Sequence, residues 1–119
     1  MSLASYQRVS TLAESPRATE HRLISEVSRG IGAAWDEGRR GAALMPALHR
    51  NREMWSTFAA TCGAPGNALA PELRAAIISL ALWVDRQTSA VMAGRDTVEP
   101  LLEVNRSLLD GLSPARLAA

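Results

Sequence analysis

Residues 70–94 read APELRAAIISLALWVDRQTSAVMAG, and the fold turns on this stretch. Pro71 opens it and Gly94 closes it. Leu73, Ile77, Leu80, Val84 and Val91 fall on one face at helical spacing, and no period-two alternation competes. Ile78, Ala81, Leu82 and Trp83 fill the remaining faces. A helix apolar nearly all round is a buried central helix, or one that also faces a partner. The dense apolar run, Ala75–Val84, is interrupted by Ser79. It is far shorter than the ~20 residues that span a bilayer, so no membrane-spanning segment is expected.

Working outward, Gly and Pro divide the rest of the chain into four more helical segments. Toward the N-terminus, the loop Gly63-Ala-Pro-Gly66-Asn67 separates this helix from one running from about Ala42 to Thr61. Pro46 lies near that helix's first turn, where a missing N–H does little harm. Leu44, Leu48, Trp55, Phe58 and Cys62 line its stripe, widened by Met45 and Met54. Before it, a helix from Pro16 to about Glu37 is capped by Ser15 and ends at Gly38. Its stripe is Leu23, Val27, Ile31, Ala34 and Trp35. Gly30 and Gly32 inside it each cost about 1 kcal/mol relative to Ala, which suggests a close helix–helix approach. The first segment, Leu3 to Ala13, is amphipathic through Leu3, Tyr6, Val9 and Ala13. Toward the C-terminus, Asp96 or Thr97 caps a helix with Pro100 in its first turn. It ends near Gly111 and carries Leu101, Val104, Leu108 and Leu112; Pro114 follows. The expectation is an all-α, single-domain bundle of about five helices with short connections, spanning residues 1–119, frayed at 1–2 and 113–119.

Composition narrows the function. The formal net charge is +1, with 13 basic residues, all Arg. Residues 1–60 hold eight Arg against six acidic groups, and 61–119 hold five against six, so neither half is a basic domain. The densest basic group is Arg39, Arg40, Arg50 and Arg52, with Trp55 as an aromatic platform for a base. Asp36, Glu37 and Glu53 offset it locally, which argues against RNA as the principal partner. A single cysteine, Cys62, forbids an internal disulfide and fits a reducing cytoplasm. The N-terminus lacks the apolar core of a signal peptide.

Chemistry-bearing sets are weak. Ser25 follows His21 by one turn, with Glu14, Glu20 and Asp36 available, but any helical chain of this size can spell such a set. His49 is the other imidazole. There is no CxxC, no HExxH, no calcium loop and no phosphate loop. Neither an enzyme nor a cofactor protein is expected. What remains is surplus apolar surface, which marks interaction sites. Trp55, Trp83, Ile78 and Leu82 are the candidate partner contacts, with Asn105 and Arg106 on the edge of the last helix's apolar face. A buried Asn there either bonds a neighbouring helix or sets register with a partner.

Two stretches carry a family resemblance. One is Asn67-Ala-Leu69, then Pro71, Leu73-Arg74, Ile77-Ile78 and Trp83-Val84. The other runs from Pro100-Leu101-Leu102 through Asn105-Arg106 and Leu108-Leu109 to Gly111-Leu112. With Tyr6-Gln7 and Ser15-Pro16-Arg17 to Glu20, the chain resembles the flagellar biosynthesis regulator FlaF family of alphaproteobacteria, nearly end to end. Gly30–Ala34 is less typical of it. The resemblance implies a cytoplasmic helper of flagellin synthesis or export that binds flagellin's amphipathic terminal segments, working alongside FlbT. It also allows a regulator of flagellin mRNA, acting directly or through FlbT.

Overall fold

A computed structural model describes residues 16–111 of the chain. Among these residues it shows four α-helices and no strand. They are α1 (Pro16–Asp36), α2 (Met45–Gly63), α3 (Pro71–Met92) and α4 (Glu99–Gly111), with a 3-10 turn at Gly41–Leu44 before α2. The expected helix at Leu3–Ala13, the Ser15 cap and Pro114 lie outside the described residues. The all-α bundle is as the apolar spacing implied. No described helix is long and apolar enough to cross a membrane.

Local chemistry sets the boundaries. Gly38 and Gly94 have φ of 87° and 75°, a conformation that costs any residue with a Cβ. Each ends its helix in the same way. Gly38 N–H donates to the Trp35 carbonyl and Arg39 N–H to that of Ala34; Gly94 N–H donates to Val91 and Arg95 N–H to Ala90. These paired bonds satisfy carbonyls that a helix end leaves unpaired. The start of α2 differs from expectation. Pro46 has no N–H to donate to a carbonyl four residues back, so the α-helix begins at Met45 and Gly41–Leu44 coil more tightly.

Asn67 and Arg74 fix the α2–α3 connection. The Asn67 amide donates to the Thr61 carbonyl at 3.1 Å and its oxygen accepts from Leu69 N–H at 3.0 Å. Arg74 Nε donates to the Cys62 carbonyl at 3.0 Å. At the other end of the pair, Arg52 meets Asp85 and Ser89. Early α2 therefore lies beside late α3, so the two helices run antiparallel.

The core sits between all four helices. It includes Ile24, Val27, Ile31, Leu48, Trp55, Val84, Val91, Leu101 and Leu108, all buried. Burying side chains of this kind contributes about 1.5–3 kcal/mol each, before conformational entropy is counted. On α1 the buried row is Ile24, Val27, Ile31 and Ala34, with Leu23 and Trp35 packed at its edge. Gly30 and Gly32 do not mark a close approach: a Cβ at either would meet nothing within 4 Å. Nothing in the structure explains glycine at these two positions.

Candidate functional site

The buried rows of α2 and α4 each contain an asparagine. On α2 the row is Leu48, Asn51, Trp55, Phe58 and Cys62; on α4 it is Leu101, Asn105 and Leu108. Asn105 is 0% exposed and binds three side chains. Its oxygen accepts from Trp55 Nε1 at 2.8 Å. Its amide donates to Asn51 Oδ1 at 2.8 Å and to Ser28 Oγ at 3.0 Å. The network ties α1, α2 and α4 together inside an apolar core, where an unpaired polar group would be expensive. Trp55 is 1% exposed. Trp55 and Asn105 were expected among partner contacts; both belong to the core, because Asn105 needs the Trp55 and Asn51 groups to replace water.

The four clustered arginines are also engaged within the chain. Arg39 pairs with Glu37 at 3.1 Å and Arg50 with Glu26 at 3.7 Å. Arg52 pairs with Asp85 at 2.9 Å and donates to the Asp85 carbonyl and Ser89 Oγ. The Arg40 guanidinium lies 3.3 Å from the centroid of the Trp35 ring and donates to the Trp35 carbonyl. An acid or an aromatic face thus meets every one of them. Trp55, the platform a base would have needed, is inside the protein.

The histidines do not join a nucleophile through hydrogen bonds among the described residues. The Ser25 hydroxyl donates to the His21 carbonyl, one helical turn back, and not to its ring. His49 pairs with Glu53 on the exposed face of α2. No group of three or more His, Cys, Asp or Glu side chains capable of holding a metal occurs among the described residues.

Apolar surface is left on α3. Leu73, Ala76, Ile77 and Leu80 form one wall of an open groove of about 670 Å³; Leu108 and Gly111 of α4 form the other, with Leu69 at its end and Ser107 and Asp110 on its rim. The wall residues recur at steps of three, one and three, so they share one side of α3. Trp83 continues that row by spacing and is half-buried. Ile78 and Leu82 lie on the other flank of α3, 37% and 61% exposed. Arg106 is exposed on α4 and makes no ion pair among the described residues. The spacing of α3 had pointed to Ile78, Leu82 and Trp83. It did not reveal the groove, which needs the C-terminal half of α4 beside the N-terminal half of α3, a juxtaposition that only tertiary packing creates.

The family model described as flagellar protein FlaF matches residues 2–112. No curated protein and no solved structure matches the chain.

Proposed function

The chain belongs to the FlaF family of flagellar proteins, and we propose that it acts as a chaperone-like adaptor that binds the amphipathic terminal segments of flagellin and so promotes flagellin synthesis or export. The observation that carries this is the α3–α4 groove. Its lining is mostly apolar, its exposed polar members are Ser107 and Asp110, and it is open to solvent. Those are the properties of a site that takes one face of an amphipathic helix. An unfolded export substrate exposes such faces, and covering them would keep it from aggregating. Arg39, Arg50 and Arg52 each face a carboxylate, which lowers the charge they offer a polyanion and favours a protein partner over an mRNA.

The test is retention of purified flagellin, with and without its terminal segments, on the immobilised protein. Full-length flagellin should be retained, and flagellin lacking those segments should not. Ala76→Glu, which places a charge on the groove wall at an exposed position, should abolish retention while leaving the helical circular dichroism unchanged. Retention of RNA or FlbT in place of flagellin would overturn the proposal.

A further inference from the structure

We infer that the occupant of the α3–α4 groove is an amphipathic helix flanked by basic residues, and that Glu72, Glu103 and Asp110 select it. The inference rests on the groove being the partner site proposed above and adds the charge its occupant carries. α3 and α4 run antiparallel beside the groove. A Cβ on Gly111, at the end of α4, would lie 3.7 Å from Leu73 Cδ1 of early α3. At the other end, Gln87 of late α3 donates to Asp96, just before α4.

The charges follow from that arrangement. Asp110 lines the groove directly. Glu103 is four residues before Ser107 and seven before Asp110, so it continues their row along α4. The Ser107 hydroxyl donates to the Glu103 carbonyl. Glu72 is four residues before Ala76, on the facing edge of α3. All three acids are exposed, and none makes an ion pair among the described residues. No basic side chain lines the groove. The bases nearest in sequence turn elsewhere. Arg74 donates to the Cys62 carbonyl. Arg106 precedes Ser107 by one residue, which puts it about 100° round the helix and away from α3. A chain of net charge +1 therefore borders its apolar groove with three uncompensated carboxylates.

That border decides between occupants. A nucleic acid or an anionic membrane surface would meet like charge. So would an acidic helix, even one with the same apolar face. A helix with Lys or Arg on its flanks meets opposite charge on both edges. Spacing sets its pattern. Asp110 and Glu103 are two turns apart, about 10 Å. The matching bases are therefore two turns apart on the flank toward α4, with a further base on the flank toward Glu72. Such pairs at a solvent-exposed rim each contribute about two- to threefold in affinity and are screened by salt. Apolar contact holds the helix, and the carboxylates choose which helix is held.

Two synthetic helical peptides with one shared Leu/Ala face test this, one with Lys on its flanks and one with Glu. Titration against the full chain at low salt should show the Lys peptide binding at least about tenfold more tightly. Glu72→Gln, Glu103→Gln and Asp110→Asn together should erase most of that preference, and so should high salt. Asp36→Asn, Glu37→Gln and Glu53→Gln together change the net charge equally but lie on α1, the turn after it and α2. That control should keep the preference. Equal or absent binding of the two peptides would overturn the inference. So would a preference that survives the groove variant, or one that falls equally in the control. A terminal segment of flagellin separates this from the proposed function. If the natural chain and the groove variant bind it equally, the inference falls and the proposed function stands. If the groove acids select the Lys peptide and the flagellin segment binds neither chain, the inference stands and flagellin is the wrong partner.

Discussion

Trp55 donates its indole N–H to the side-chain oxygen of Asn105 at 2.8 Å, across 50 residues of sequence and inside the core. Asn105 in turn donates to Asn51 and Ser28. One amide therefore satisfies polar groups from two other helices. Asn105→Ala would leave the Trp55 N–H and the Asn51 oxygen buried without partners. The expected loss is roughly 2–3 kcal/mol of folding stability. Urea denaturation reads this as a lower midpoint at an unchanged slope. A loss below about 1 kcal/mol would show that water reaches the site.

Asn51 offers the opposite case. Its Nδ2 is buried and has no hydrogen-bond partner among the described residues. Replacing Asn51 alone removes that cost but leaves one of the two Asn105 amide hydrogens without an acceptor, Ser28 still accepting the other. Replacing Asn51 and Asn105 together with Leu, and Trp55 with Phe, removes every group of the network except the Ser28 hydroxyl. The triple variant should be at least as stable as the natural chain, because a fully apolar replacement is commonly neutral or better. The single Asn51→Leu variant should be less stable than the triple. Thermal melts of the two decide the order.

The glycines of α1 and α3 give a signed pair. Gly30 is exposed, mid-helix, with open space where a Cβ would go. Gly30→Ala should raise stability by about 0.5–1 kcal/mol, mainly by restricting the unfolded chain. Gly94 ends α3 at φ 75°, so Gly94→Ala should cost about 1–2 kcal/mol although it too has open space. Opposite shifts in melting temperature are expected. A loss at Gly30 would mean that the glycine serves a contact beyond residues 16–111.

These two kinds of position also show what was legible in the sequence. Helix ends were, because Gly38, Gly94 and Pro71 act through their own backbone chemistry, and that chemistry is local. The apolar rows were legible in outline: Ile24 takes the place of Leu23 in the core, Leu73, Leu80 and Val104 are only partly buried, and Thr88 of α3 is buried among the apolar residues, because packing, not spacing, picks between neighbours on a stripe. The α2 row read from apolar residues alone jumps from Leu48 to Trp55. That gap is where Asn51 sits, in register with the core. A polar residue at a core position was a signal of the buried network, but its partners on α1 and α4 could not be named before the helices were placed. The groove was illegible for the same reason. So was the quenching of the basic cluster, since Arg50 finds Glu26 and Arg52 finds Asp85 only across helix interfaces.

Among those arginines the structural stakes differ. Arg52 bridges α2 and α3 through one ion pair and two hydrogen bonds, whereas Arg39 pairs only with nearby Glu37 on an exposed turn. Arg52→Ala should cost about 1 kcal/mol, and Arg39→Ala less than about 0.5 kcal/mol. High salt should shrink the difference only in part, because the bonds to the Asp85 carbonyl and Ser89 are not ion pairs. Chemical denaturation at two ionic strengths checks both points. If Arg39 and Arg52 prove equal, the bridge between α2 and α3 contributes nothing.

The two flanks of α3 finally separate the groove from the plain exposed surface. A helix is about 10–12 Å across, so a partner seated against Ala76 and Leu80 cannot also cover Ile78 and Leu82, which lie nearly half a turn away. Leu82 is 61% exposed and needs no partner to account for it, since single surface hydrophobes are common. Leu82→Glu should therefore change stability by less than about 0.5 kcal/mol and weaken flagellin binding by less than about threefold, a cost of roughly 0.7 kcal/mol. Ala76→Glu should weaken binding by more than about a hundredfold, because it buries a carboxylate against Leu73 and Leu80 once the groove is filled. Titration of flagellin against both variants ranks them. A reversed ranking would move the partner to the Ile78–Leu82 flank.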